Sequence, residues 1–371
     1  MGRGAISIVL AGDLVLDEPD GAWWLSGIAP ALQGADLAVG HLEVPHTHRG
    51  AELQGDVPAP GAPPENLAAI AQAGFAMLSL AGNHIADCGA EGIADTTAGL
   101  GALGVAHCGA DLTLETARRP AIVARDGWRI ALLSYNCVGP EASWATADRA
   151  GCAYLPIATA DGAPIAPAAN LAVLTQAALE ILRHDISEVR AQADLVLVAL
   201  HKGIVHTPAR LAPYERALSH AAVEAGADVV IGHHAHIVRG IEFHHGKPIF
   251  HGLGNGCVVT GALSPAQDHP ARAAWAERRK AMFGFEPDPP YTLAPFHPEA
   301  VNAFLGTVAV DHEGTIRAGI IPVDVEAPGR PVLAEPARAM EIRDYAERIT
   351  ETAGLPPIMI AHDGLVTEVR P

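Results

Sequence analysis

With 371 residues, 49% of them hydrophobic and 18% charged, the chain has ample material for a buried core and lies outside the disordered class. Its 24 Lys and Arg stand against 42 Asp and Glu, a net charge of −18. That balance sets aside a nucleic-acid backbone or an anionic membrane as the main partner, since both need a basic face.

Residues 1–12 carry one Arg and a short apolar run that stops at Asp13, without the longer stretch and cleavage site of a secretory signal. Short apolar runs then alternate with Ala-rich helical patterns. Strands are predicted at 5–11, 35–39, 75–80, 130–134, 194–200, 228–231 and 248–250, and helices at 64–73, 89–103, 170–193 and 211–225. This alternation predicts βα units and a largely parallel sheet covered on both faces. A hairpin follows at 306–311 and 316–325, turning at Glu313-Gly314. The Pro-rich patch 58–64 and the stretch 264–299 read as surface excursions, the second as a lid or insertion. Trp275, Phe283, Phe285, Tyr291 and Phe296 concentrate there in a chain with 5% aromatics, which makes it the expected substrate-facing wall. Residues 1–327 are expected to form one catalytic domain, with 328–371 a C-terminal extension packed on it.

Cys88, Cys108, Cys137, Cys152 and Cys257 are odd in number and form no CxxC pair, the pattern of a reducing compartment. Cys88 and Cys257 lie near the motifs below without an activating base, so buried structural roles are expected. No window approaches the ~18 apolar residues of a membrane span. The expectation is a cytoplasmic protein with no membrane partner, association into a homo-oligomer being left open.

The chemistry gathers just after the strands. Gly12-Asp13, His41-Leu42-Glu43, Gly82-Asn83-His84, His201-Lys202-Gly203 and His233-His234-Ala235-His236 each follow a separate apolar run. In open α/β sheets, ligands bind beyond the carboxyl ends of the strands. Imidazole nitrogens with carboxylate and amide oxygens, and no thiolate, suit a borderline divalent cation. Two such ions need a carboxylate between them, and Glu43 is the natural bridge. His46, His48, His206, His244, His245 and His251 have weaker cases, His251 the strongest of them because it ends a strand.

In this order and spacing, GD, LE, GNHxxDxG, HxG and GxHxH resemble the CapA capsule-synthesis family (poly-γ-glutamate biosynthesis proteins), a branch of the calcineurin-like metallophosphoesterases. The similarity runs from about Ile6 to about Gly256 and includes 80–84 with Asp87 and Gly89, 225–236, 247–250 and 253–255. The resemblance implies an α/β fold of metallophosphoesterase type: a four-layer α-β-β-α sandwich of two mostly parallel or mixed sheets. It implies two divalent metals (Mn, Zn, Fe or Mg). Asp13 and His236 would hold the first, Glu43 would bridge, and Asn83, His201 and His234 would hold the second. His84 would act as general acid, held by Asp87.

Two departures stand out. The wider superfamily carries a His two residues after the first Asp, where this chain has Val15, so His41 is expected to fill in at the metal or to meet the substrate. The CapA pattern HWGxEY reads here His201-Lys202-Gly203-Ile204-Val205-His206. Lys202 and Arg239 are expected to offer positive charge to a carboxylate or phosphate instead. The functional expectation is a metal-dependent hydrolase in which a metal-bound hydroxide attacks an amide, ester or lactone carbonyl of a small or oligomeric acidic substrate. A phosphoester hydrolase and a non-catalytic accessory of capsule or polyglutamate assembly are the alternatives.

Overall fold

A computed structural model of the chain describes residues 3–53, 59–165, 169–263 and 269–369, and only the backbone of Lys280. Pro58 of the Pro-rich patch and 264–268 of the expected lid lie outside the described residues. The fold is mixed α/β and is organised around two sheets. In the first, β1 (Ile6–Leu16), β2 (Leu37–Leu42), β3 (Phe75–Ser79) and β4 (Ala106–Cys108) run parallel. The second contains β5 (Ala121–Arg125), β6 (Trp128–Asn136), β7 (Leu195–His201), β8 (Val229–His233), β9 (Ile241–His244) and β10 (Lys247–Phe250). Its order is β9-β10-β8-β7-β6-β5, with the four inner strands parallel and the two outer ones antiparallel.

Later strands complete the first sheet: β11 (Asn255–Val259), β12 (Asn302–Val310), β13 (Ile316–Glu326) and β14 (Arg330–Leu333), in the order β14-β13-β12-β1-β2-β3-β4. β1 has two partners along one side. Ile6 to Leu10 pair antiparallel with β12, whereas Asp13 to Leu16 pair parallel with β11. The register shifts at Asp13, where one partner gives way to the other.

The strands are apolar on both faces, and side-chain alternation divides each into two cores. Ile6, Ile8 and Leu10 of β1 share a core with Leu195, Leu197 and Ala199 of β7 and with Val229 and Ile231 of β8, so this layer joins the two sheets. The intervening Val9 and Ala11 pack with Ile70 of α1 (Asn66–Ala73) and Ile93 and Leu100 of α2 (Gly89–Ala102). On the second sheet, Val196, Val198 and Leu200 pack with Leu182 and Ile186 of α3 (Gln176–Arg190) and Leu218 and Ala222 of α4 (Glu215–Ala225).

Two sequence expectations change. The helix expected over 170–193 begins only at Gln176, because Leu171–Leu174 pairs as a strand with Ile157–Thr159 and the Thr175 hydroxyl caps the helix by accepting from the Ala178 amide. The stretch 264–299 is not wholly irregular, since it holds α5 (Pro270–Phe283). Near the C-terminus, α6 (Pro336–Thr352) sends Tyr345, Ala346 and Ile349 into the inter-sheet core. Among the described residues, no helix is long and apolar enough to cross a membrane.

Candidate metal centre

Parallel strands bring residues at or near their C-terminal ends to one edge; β1 runs on past Asp13 to Leu16, whereas His201 and His233 are the last residues of β7 and β8. Asp13 on β1, His41 on β2, His201 on β7 and His233 on β8 are all completely or almost completely buried. The parallel register sets His201 opposite His233, and Asp13 opposite His41. Close approach of the supporting backbone requires glycine: a Cβ on Gly12 would lie 2.0 Å from the Gly254 carbonyl oxygen, and one on Gly232 would lie 2.1 Å from that of His251.

The loop after β8 is the least ordinary part of this edge. His234 and His236 both adopt left-handed backbone, with φ of 86° and 53°. Such conformations in non-glycine residues cost of order 1–3 kcal/mol each and cluster at functional sites. Flanking Ala235, they set the His236 ring against Asp13 and Glu43 and the His234 ring against His201.

The donor atoms converge. Asp13 Oδ1 lies 3.2 Å from His233 Nδ1, and Oδ2 lies 3.6 Å from His236 Nδ1 and accepts from the His234 amide at 3.2 Å. Glu43 Oε1 lies between two histidines, 3.4 Å from His236 Nε2 and 3.9 Å from His201 Nε2. His201 Nε2 is 2.9 Å from Asn83 Oδ1 and 3.1 Å from His234 Nδ1. Ligand atoms of Asp13, His41 and His201, and separately of Asp13, Glu43 and His236, lie within 4.8 Å of one another. Donors bonded at ~2.1 Å to a shared ion stand about 3–3.4 Å apart at octahedral to tetrahedral angles, which matches several of these separations.

Apart from the 3.2 Å approach of Asp13 Oδ1 to His233 Nδ1, Asp13 Oδ1, His41 Nε2, His201 Nδ1 and His233 Nδ1 are buried with no hydrogen-bond partner among the described residues. A buried polar atom without a partner costs about 1–3 kcal/mol, so several at one point indicate a missing counter-group. The set contains imidazole, carboxylate and amide donors, as a Zn, Mn or Fe site requires. These residues fit a divalent ion.

Electrostatics agree. Burial pushes the Asp13 carboxyl up, against the pull of His236 and His41. Burial also depresses His41 and His233 to about 3, and holds His201 and His234 well below the usual imidazole range. Neutral imidazoles are the form that binds metal. A further layer orients them: Ser79 Oγ lies 2.9 Å from His41 Nδ1, and Asn255 Oδ1 lies 3.0 Å from His236 Nδ1.

His84 stands beside the cluster with Nδ1 2.7 Å from Asp87 Oδ2. With Val15, Glu43, His236 and Phe296 it lines a cleft.

The structure brings together Asp13, His41, Glu43, Asn83, His201, His234 and His236, and places the His84–Asp87 pair at their rim. The expected substrate cations lie elsewhere. Lys202 and Arg239 are completely buried and hold Glu215 between them, at 3.0 and 2.8 Å. Arg239 spends its remaining donors on the carbonyls of Ile204, Thr207 and Arg210. Neither cation is presented to the cleft, so their role is internal. His251 likewise joins a structural network, bonding Glu242 at 3.0 Å. All five cysteines are free and buried.

His233 was not singled out by the sequence reading, which chose the i, i+2 pair after it. His206 was also passed over as a weak case. Its ring packs between Phe283 and Phe285 at 4.7 and 5.1 Å and faces His236 at 6.0 Å. Its signal was its place five residues beyond a strand-end His, in the motif that departs from the CapA pattern.

Residues 7–258 match the family described as bacterial capsule synthesis protein PGA_cap, and the chain belongs to that family. Among its relatives is the capsule biosynthesis protein CapA of Bacillus anthracis, 26% identical over 62% of this chain and 52% of that protein. The PGA biosynthesis protein CapA of Bacillus subtilis is 27% identical over 62% of this chain and 54% of that one. A protein of Mycobacterium tuberculosis named "Probable polyglutamine synthesis accessory protein" is 32% identical over 52% and 47%. The chain spans about half the length of these curated relatives. Among solved structures, the calcineurin-like phosphoesterase YfkN from Bacillus subtilis aligns with 95% of this chain and 99% of its own at 11% identity and a TM-score of 0.37.

Proposed function

We propose that this chain is a metal-dependent hydrolase, built as a four-layer α-β-β-α sandwich, that cleaves an amide, ester or lactone bond in a small anionic substrate. The carrying observation is the convergence of Asp13, His41, Glu43, His201, His234 and His236 beside a cleft, with His41 Nε2 and His201 Nδ1 buried and without a hydrogen-bond partner among the described residues. Divalent ions bound there would supply Lewis acidity and a nucleophilic water.

This chain's residues do the rest. Asp13 and Glu43 bring the negative charge that offsets the ions, and the neutral imidazoles bring the remaining donors. Asn83 Oδ1 adds an amide oxygen next to His201. Asp87 accepts from Nδ1–H of His84 and so stabilises its imidazolium form, whose Nε2–H can pass a proton to the leaving group. Val15, Val44 and Val258 give the cleft an apolar floor that limits water.

Elemental analysis of the purified protein, followed by turnover of a γ-glutamyl amide, a carboxylic ester and a phosphodiester with Mn²⁺ or Zn²⁺, tests this. Stoichiometric metal with cleavage of either carbonyl substrate is expected. Phosphodiester cleavage alone would transfer the site to phosphoryl chemistry. Absence of both metal and turnover would overturn the proposal. A second reading, an accessory role in polymer assembly, is favoured by the names of the capsule-synthesis relatives. His234→Ala separates the two: a hydrolase loses turnover, whereas an accessory protein keeps its hold on poly-γ-glutamate.

A further inference from the structure

We propose that Arg279 is the receptor for the oxyanion of the substrate, carried on α5 and set against the wall of the metal cleft. The inference rests on the hydrolase reading and names the group that the substrate must bear.

Arg279 is only 6% exposed, yet its Nε and Nη2 have no hydrogen-bond partner. Among the described residues it forms no ion pair with any carboxylate. Its contacts are aromatic instead. The guanidinium lies 5.3 Å from the Trp275 ring centre and 5.8 Å from that of Phe296. Phe296 in turn stacks on His236 at 4.9 Å and lines the cleft with Glu43 and His84. The charge is felt at the site: it helps to depress both His236 and His206.

A buried guanidinium without an anion is costly, and protein interiors pair such groups or leave them exposed. Lys202 and Arg239 show how this chain treats a structural cation, with Glu215 in direct contact. Among the described residues Arg279 has no such counterpart. Its planar fork matches a carboxylate or phosphoryl group through two parallel hydrogen bonds. Aromatic rings on two sides hold the fork's plane without consuming its N–H donors. The −18 net charge adds to the case, because an acidic protein that takes an anionic substrate needs a local cation to receive it.

The test measures binding of glutarate and of inorganic phosphate to the purified protein by calorimetry, for wild type, R279Q and R279K. Metal content is determined in parallel. Expected is binding by wild type that weakens roughly 10- to 100-fold in R279Q, with R279K between them, at unchanged metal content. Glutarate alone identifies a carboxylate substrate, and phosphate alone a phosphoryl one. Equal affinity in wild type and R279Q, or binding of neither probe by wild type, overturns the inference. Arg279-dependent binding in a protein found to carry no metal leaves the inference standing and removes the hydrolase reading. Thermal melting supplies an independent readout. In anion-free buffer R279M should melt no lower than wild type, because it removes an uncompensated charge, and added glutarate or phosphate should raise the wild-type midpoint alone. A large loss of stability in R279M without anion would show a structural role and overturn the inference.

Discussion

Two charged clusters sit within a few residues of each other at the end of β7, and they are opposites. His201 belongs to the donor cluster with Asp13, Glu43 and the β8-loop histidines, and the next residue, Lys202, belongs to the triad with Glu215 and Arg239. Both clusters are buried. In the triad every charge is answered: Glu215 accepts from Lys202, from Arg239 and from the Ala212 amide. In the donor cluster, oxygens and nitrogens crowd together while several lack a partner. A complete buried network is architecture. An incomplete one is an invitation to a ligand.

The sharpest way to break this contrast is to remove Glu215. E215Q leaves two cations buried without a counter-charge, which should cost about 3–5 kcal/mol, read as a large drop in the chemical-denaturation midpoint. At the donor cluster the effect should invert. D13N is expected to lose bound metal and turnover by more than 100-fold while costing less than about 1 kcal/mol of metal-free stability, because it relieves a buried carboxylate. Equal destabilisation by the two substitutions would erase the distinction.

Acid titration sharpens it further. Burial pushes Glu215 up, but Lys202 and Arg239 together outweigh it and the carboxyl sits at about 2. A folded-state value below the unfolded one gives stability that is complete above about 4.5 and lost as pH falls towards 2. E215Q should therefore flatten the acid limb of the melting curve, and an unchanged limb would refute the assignment. At the rim, D87N is expected to lower kcat by roughly 10- to 100-fold with little change in KM, and to shift the pH profile, since His84 loses the carboxylate that stabilises its imidazolium form. Smallest of all, S79A should weaken metal affinity about 10-fold through a looser His41 ring. No change in metal affinity would remove Ser79 from the support of the site.

The sequence made one edge of the molecule legible and the other side of each strand illegible. Strand ends could be read because the apolar runs are short and each stops at Asp, His or Gly, so Asp13, His201 and His234 announce their position. Direction could not be read. Lys202 carries the same charge whether it faces the cleft or Glu215, and Glu215 lies on a helix that begins thirteen positions later. His233 escaped because extended-chain logic pairs His234 with His236, whereas the left-handed backbone of both frees His233 to end β8 and reach Asp13. In 264–299 the aromatic enrichment was visible, and Phe283, Phe285 and Phe296 do pack around His206. The solitary character of Arg279 was not visible, because a missing partner leaves no trace in composition.

The double partnership of β1 reaches beyond the stretch shared with the family, which ends at residue 258. Half of that strand is hydrogen-bonded by Asn302–Val310, and the layer beneath it is closed by Tyr345 and Ile349. A fragment trimmed to the recognisable portion would keep every candidate metal-ligating side chain named above. It would nevertheless strip one flank of the strand that carries Asp13 and open the inter-sheet layer to water. The anchorage of that carboxylate is thus written partly in the last quarter of the polypeptide, where no motif advertises it.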